Sequence, residues 1–310
     1  MISGATISLA AGSFETTGNV RWIVYASRQN VDEAIGLARR FETDQTPMKV
    51  LSTSNGWYAV AAGPLSVPDP VALKKKLAES WSAPKDAFFS KGQTFLEKVW
   101  ESARSPVLAE ASSSDQQPHG ASAAGLEVRI ESRNVVHVRA GGREAATVTF
   151  DEDDNAPYTS ASASIARLDA SSPFPQVIAT HFSGGVHCCT EMRIVTLAGD
   201  RWRVINVGGF DGDGPSVLDL NGDGSAELVS KDGSFNYAFA SYAESYGPPK
   251  ILRLTGAHVE NVTRFPEFQR PIRQILLAVE GTTDSDYWKD NGFLAGWIAH
   301  KTLVGESADA

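Results

Sequence analysis

Residues 48 to 64 read Met48-Lys-Val-Leu-Ser-Thr-Ser-Asn-Gly-Trp-Tyr-Ala-Val-Ala-Ala-Gly-Pro64. Two strand-like runs, Met48 to Ser54 and Trp57 to Ala62, flank Asn55-Gly56, the pair that supplies positive φ for a type I′ hairpin turn. Upstream, Arg21-Trp-Ile-Val-Tyr-Ala-Ser27 is rich in β-branched and aromatic residues and predicts a strand. Between the two, Asn30 with Glu33 three positions on predicts a capping box, and Val31, Ala34, Ile35, Ala38 and Phe41 recur at helical spacing. Downstream, Asp69-Pro70 supplies a cap and a first-turn proline for a second helix carrying Leu73, Leu77 and Trp81. A short strand near Asp86 to Ser90 completes a β-α-β-β-α-β (ferredoxin-like) domain over residues 18 to 101, with Phe95, Leu96, Val99 and Trp100 on a helix that leaves it. Such a unit puts helices on one face of its sheet and leaves the other face open for binding.

From 102 to 125 the composition shifts to Ala, Ser, Gln, Pro and Gly, with too little apolar surface to fold, and predicts a flexible linker. Beyond it come short β-rich runs: Leu126 to Ile130, Val135 to Arg139, Ala145 to Phe150, Ser162 to Arg167, Gln176 to Thr180, Met192 to Leu197, Trp202 to Val207, Glu227 to Ser230 and Ile251 to Leu254. This spacing predicts an antiparallel β-rich domain over 126 to 265. Helical faces at Ile272, Ile275, Leu276 and Val279, then at Leu294, Trp297 and Ile298, predict a helical C-terminal segment over 266 to 310. The fold class expected is therefore α+β.

A chain of 310 residues suits two domains of ordinary globular composition. Residues 1 to 101 carry 11 Lys plus Arg against 10 Asp plus Glu, so the remaining part, with 17 against 27, is the acidic one. That balance disfavours nucleic acid as a partner and favours cations or neutral polymers as ligands. No apolar run approaches the roughly 18 residues of a membrane span. Met1 to Gly12 lacks a basic n-region, so a secretory leader is expected only if the true start lies upstream; the location reads as periplasm or cell envelope in that case and is otherwise open.

Ala26-Ser-Arg28, the alanine-rich helix from Val31, and Gly56-Trp-Tyr-Ala-Val-Ala-Ala-Gly-Pro64 together resemble the SPOR (sporulation-related repeat) domain across about residues 20 to 90. The resemblance implies a β-α-β-β-α-β fold that binds peptidoglycan glycan strands stripped of their stem peptides, on the open side of the sheet. By position it makes Tyr25, Ser27 and Arg28, with Trp57 or Tyr58 beside them, the candidate glycan-binding residues. The glutamine common in the family's first strand is absent; Val24 or Tyr25 stands there. A plainer reading stays open, in which Trp57 and Tyr58 only fill the core and hairpin.

The strongest chemical signal is Phe210-Asp-Gly-Asp-Gly-Pro-Ser-Val-Leu-Asp-Leu-Asn-Gly-Asp-Gly-Ser-Ala-Glu-Leu228. Asp219, Asn221, Asp223, Ser225 and Glu227 stand at positions 1, 3, 5, 7 and 9 of a loop with Gly224 at position 6, a spacing that gathers oxygens around one hard cation. Ca²⁺ is the cofactor expected. Position 12 is Ser230 rather than glutamate, so an EF-hand is not expected. The loop resembles the calcium loops of FG-GAP and related β-propeller repeats, with Glu227 in place of their usual aspartate. A solvated turn between strands is the plainer alternative.

His181-Phe-Ser-Gly-Gly-Val-His-Cys-Cys-Thr190 holds two imidazoles and both cysteines of the chain. Zinc ligation, a Cys–His nucleophile, a vicinal disulfide and plain buried thiols are all open to it. Asp151 to Asn155 reads as a solvated turn, Lys74 to Lys76 as an exposed helix face, and Phe235-Asn-Tyr-Ala-Phe239 as core. The sequence thus leads to a non-catalytic cell-envelope protein that binds glycan strands and Ca²⁺, with an envelope protein as a further partner of its second domain. The alternatives are an envelope-polymer hydrolase using carboxylates from Asp211 to Asp232 or a thiol, and a calcium-stiffened interaction scaffold.

Overall fold

The structure is a computed structural model that describes residues 14–42, 47–79, 84, 86–102, 106–113, 119–151, 159–184, 188–212 and 214–306, the side chains of 76–79 and of 188 excepted. It divides into two compact units, Met1–Arg104 with Arg270–Asp284, and Ser105–Gln269 with Ser285–Ala310. The first division falls between Arg104 and Ser105, and the residues over 266 to 310 are shared between the units. Among the described residues no helix is long and apolar enough to cross a membrane.

In the first unit, β1 (Val20–Arg28), α1 (Val31–Phe41), β2 (Met48–Thr53), β3 (Tyr58–Ser66), α2 (Pro70–Glu79), β4 (Phe88–Ser90) and β5 (Phe95–Glu101) follow one another. The sheet runs β4-β1-β3-β2-β5 with every neighbouring pair antiparallel. Asn30 caps α1, its Oδ1 accepting from Asp32 N at 2.8 Å and Glu33 N at 3.2 Å. Asp69 caps α2 in the same way, accepting from Val71 N and Ala72 N at 3.0 Å each. Trp81 lies outside the described residues.

Three expectations for this unit need correction. The hairpin turn is not type I′: Gly56 alone of the Asn55-Gly56 pair takes positive φ, at 82°. Thr53 O accepts from Gly56 N and Thr53 N donates to Trp57 O, so the loop is a three-residue turn whose glycine sits at the bulge. Phe95 to Trp100 is strand rather than helix, because the free edge of β2 pairs with it, Lys49 opposite Glu101 and Thr53 opposite Phe95. The sheet also has no open face. Ile23, Tyr25, Met48, Val50, Val60 and Ala62 pack with Ala34, Ile35, Leu37 and Ala38 of α1. Trp22, Val24, Leu51, Ala59, Ala61 and Phe95 form a second buried cluster, against which Phe14 packs. Trp22 Nε1 donates to Phe14 O at 2.8 Å.

The outer side of α1 receives α3 (Gln269–Thr282), from residues far along the chain. A Cβ on Gly36 would lie 2.1 Å from Gln274 O, so glycine is what lets the two backbones meet. Asp32 accepts from Arg270 Nε at 3.1 Å and from Gln274 Nε2 at 2.9 Å, and Arg39 Nε donates to Gln274 Oε1 at 3.2 Å.

The second unit is built of three antiparallel sheets. One is β10-β9-β8-β7, formed by β7 (Gly120–Ala123), β8 (Leu126–Ser132), β9 (Val135–Ala140) and β10 (Arg143–Thr149). The central sheet is β14-β13-β12-β11-β6, from β6 (Val107–Ser112), β11 (Ser160–Ala166), β12 (Gln176–Phe182), β13 (Cys188–Ala198) and β14 (Arg201–Asp211). The last is β15-β16-β17-β18, from β15 (Ser216–Leu218), β16 (Glu227–Lys231), β17 (Pro249–Thr255) and β18 (His258–Asn261). Alternation decides the layering. On β12, Val177 and Ala179 face the first sheet's Leu126, Val128, Val136 and Val138, whereas Ile178 joins Leu228, Leu252 and Leu254 of the last. The central sheet is thus packed on both faces. Helix α4 (Asn291–Leu303) closes the unit.

Each of the nine predicted runs of this domain falls on an observed strand, but several strands extend further, as β13 does from Cys188 and β14 to Asp211. The linker expected over 102 to 125 does not hold as such: β6 pairs with β11 and β7 with β8. Edge pairing supplies the stability that their Ala-Ser composition lacks. Residues 114–118 of it lie outside the described residues.

Candidate functional site

The acidic loop joins β15 to β16 and is wound tightly around its first residue. Asp219 Oδ1 accepts from Gly222 N at 2.8 Å and Asp223 N at 3.2 Å, and its Oδ2 accepts from Gly224 N at 3.0 Å. Gly222 and Gly224 take φ of 77° and 88°, which a side chain would resist. Asn221 Nδ2 donates to Asp223 Oδ2 at 2.8 Å, and Asp223 Oδ1 accepts from Ser225 N at 2.8 Å. Ser225 Oγ turns away, accepting from Ala170 N at 3.0 Å. The carboxylate and amide oxygens of Asp219, Asn221 and Asp223 are therefore brought together by the turn itself.

Glu227 is the buried member, at 0% exposure. Its Oε2 accepts from Leu220 N at 3.1 Å, and its Oε1 meets Arg253 Nε at 3.3 Å. Burial pushes its pKa up to about 7, against the pull of the Leu220 amide and the Arg253 guanidinium. Arg253, on β17, also reaches Glu267 at 3.1 Å and Asp223 at 3.9 Å, and its guanidinium lies 4.9 Å over the Phe268 ring. It went unnoticed in the sequence because it stands 26 residues from Glu227 and meets it only through strand pairing. The donor set, all hard oxygens, suits Ca²⁺. Among the described residues no three His, Cys, Asp or Glu side chains already converge at metal-ligating geometry.

The flanking acids do other work. Asp211 accepts from the Tyr242 hydroxyl and from Asn236 Nδ2, and Asp232 caps a short helical turn by accepting from Ser234 N. Asp213 lies outside the described residues.

The glycan candidates divide. Arg28 stands opposite Tyr58 and Ser27 opposite Ala59 in the β1–β3 ladder, so Ser27, Arg28, Trp57 and Tyr58 stand at one end of the sheet, with Tyr58 packed against the helix-covered core and Ala59, opposite Ser27, in the cluster of the other face. Trp57 is 39% exposed there. Tyr25, by contrast, is 3% exposed under α1, its ring 5.4 Å from that of Phe41, and cannot touch a glycan. It is a core residue, because the alternation of β1 points it to the helix-covered face.

His181 is buried on β12 with its ring stacked 5.3 Å from Phe150. Cys189 is disulfide-bonded, and the sequence has one other cysteine, Cys188. A disulfide sulfur is neither thiolate nucleophile nor zinc ligand, which removes those readings and the buried-thiol reading for Cys189. His187 lies outside the described residues, as do 152–158 of the acidic run after Asp151. On the outer face of β8 to β10, His137 sits between Glu131, at 2.5 Å, and Glu144, at 3.3 Å, in a shallow hollow of about 500 Å³. Burial opposes its charge, but the two carboxylates outweigh it and raise its pKa.

An uncharacterized protein of Sinorhizobium fredii is 34% identical over 307 residues, which is 95% of this chain and 48% of that protein. A probable thylakoid lumen protein of Synechocystis is 36% identical over 160 residues, 50% of this chain and 47% of its own. The chain spans about half the length of these curated relatives. No family model matches the chain, and neither does any solved structure.

Proposed function

We propose that this chain is a non-catalytic binding protein that works outside the cytoplasm, with the loop from Asp219 to Glu227 as a Ca²⁺ site and the first unit as a glycan-binding module of the cell envelope. The observation that carries the calcium reading is the loop's winding: Asp219, Asn221 and Asp223 are gathered by backbone hydrogen bonds beside a buried Glu227. An ion added there would draw inward oxygens that the turn already places near one another and would relieve the repulsion among three carboxylates.

The location is supported by the lumenal relative and by the disulfide at Cys189, since disulfides persist in oxidising compartments. The order β4-β1-β3-β2 supports the ferredoxin-like reading of the first unit that the SPOR resemblance implies, with β5 as an addition. Its glycan contacts are assigned to Ser27, Arg28, Trp57 and Tyr58 at the end of the β1–β3 ladder. Aromatic faces and a guanidinium suit sugar rings and their hydroxyls.

A second reading is favoured by Arg253, which already offers Glu227 and Asp223 a positive charge. In it the loop is a self-neutralised turn and the unit an interaction scaffold. Thermal melting separates the two. With Ca²⁺ at about a hundred times its dissociation constant, a calcium loop gains about 2.7 kcal/mol, several degrees in Tm, and the gain disappears in Asp223→Ala. Equal melting with calcium and with chelator favours the scaffold.

A further inference from the structure

The stretch expected to be core, Phe235 to Phe239, lies at the surface instead. It belongs to the connection from β16 to β17, residues 232–248, which carries aromatics at five of its positions. Tyr237 is 63% and Phe239 55% exposed. This is not a loose loop. Beneath it, Gly292 and Gly296 of α4 leave no room for side chains: a Cβ would lie 2.4 Å from Glu244 O at the first and 1.9 Å from Tyr246 O at the second. Tyr246 OH bonds His300 Nδ1 at 2.7 Å, and His300 is fully buried. Ser241 and Glu244 form a capping box, and Ser245 Oγ accepts from Tyr237 N at 3.1 Å. The inner side of the connection is fixed to a helix while its outer side presents rings to solvent.

Two features point to a ligand. Tyr237 takes φ of 60°, a conformation that bulky side chains avoid and that persists only where the surroundings impose it. That backbone sets the Tyr237 ring 5.7 Å from the Tyr242 ring, at 39°. Beside this pair lies a planar polar group: the Asp211 carboxylate, engaged by the Tyr242 hydroxyl and by Asn236 Nδ2 at 3.4 Å.

We propose that Tyr237, Tyr242, Asn236 and Asp211 form a shelf that binds a neutral saccharide. A pyranose ring offers an apolar C–H face and a rim of hydroxyls, and this arrangement pairs aromatic faces with a carboxylate and an amide able to accept and donate at that rim. The acidic charge of the second part of the chain works against an anionic polymer here. The site is independent of the end of the first unit's sheet and of the calcium loop.

The test is calorimetric titration of the full chain with N-acetylchitotetraose, a neutral oligosaccharide. The titrations are run in the Trp57→Ala background, which removes the sheet-end aromatic, so that the remaining heat reports the shelf. Asp211→Asn and Tyr237→Ala are expected to weaken that binding at least tenfold. Tyr237→Gly removes the ring and suits the backbone, so it is expected to lose binding with Tm held or raised. Absence of heat in that background, or binding unchanged in Tyr237→Gly, overturns the proposal. A marked fall in Tm for Tyr237→Gly with binding intact makes the ring a packing element.

Discussion

The loop from Asp219 to Glu227 and the sheet end at Ser27, Arg28, Trp57 and Tyr58 assemble their groups in opposite ways. In the loop, members two apart in sequence are turned together by hydrogen bonds between near neighbours, Asp219 to Gly222, Asp223 and Gly224. At the sheet end, members about 30 residues apart meet because β1 and β3 pair in one register. Tyr25 lies on the same strand as Ser27 and Arg28, yet it faces the helix. Spacing suffices to define a site when a turn builds it; when a sheet builds it, what covers each face decides the outcome.

The contrast also predicts unequal costs. Arg253→Ala leaves the buried Glu227 without its cation and is expected to cost about 3–5 kcal/mol at pH 8 by denaturant unfolding. If Ca²⁺ takes over the charge, saturating calcium recovers part of that loss; a cost under about 1 kcal/mol would mean that the carboxylate is not held by Arg253.

Titration gives the next largest effect. The folded chain keeps a proton on Glu227 up to about pH 7, whereas its ordinary value is 4.5. Its contribution to stability is therefore fully present below pH 4.5 and is lost as pH rises through about 7. The loss is at most about 3 kcal/mol. Urea midpoints at pH 5 and pH 8 should differ in this direction, and Glu227→Gln should remove that component.

Trp57→Ala is expected to change stability by less than about 0.5 kcal/mol, since the ring stands at the surface of a turn. Retention of the full chain on peptidoglycan sacculi stripped of stem peptides should fall sharply in the same variant. Equal retention would reduce the sheet end to structure alone.

The same distinction explains what could be read beforehand. Runs such as Gln176 to Thr180 and Met192 to Leu197 were legible because a sheet covered on both faces draws short runs of contiguous apolar and β-branched residues. Val107–Ser112 and Gly120–Ala123 were not, because pairing with β11 and β8 rather than their own Ala-Ser composition makes them strands. Helix α3 was legible as a helix but not as part of the first unit. Its one local sign was Gly36 in the middle of α1, where a glycine costs helix stability unless another backbone needs the space. Arg253 could not be found from spacing, and Tyr237 was misread because an aromatic run looks the same in a core and on a surface.

The central claim is most directly tested by titrating Ca²⁺ into the full chain at pH 8 in a calorimeter, beside Asp223→Ala. A calcium loop predicts one ion per chain at or below about millimolar dissociation constant, absent in the variant. No heat in the wild type through millimolar calcium, or equal heat in both proteins, would contradict it.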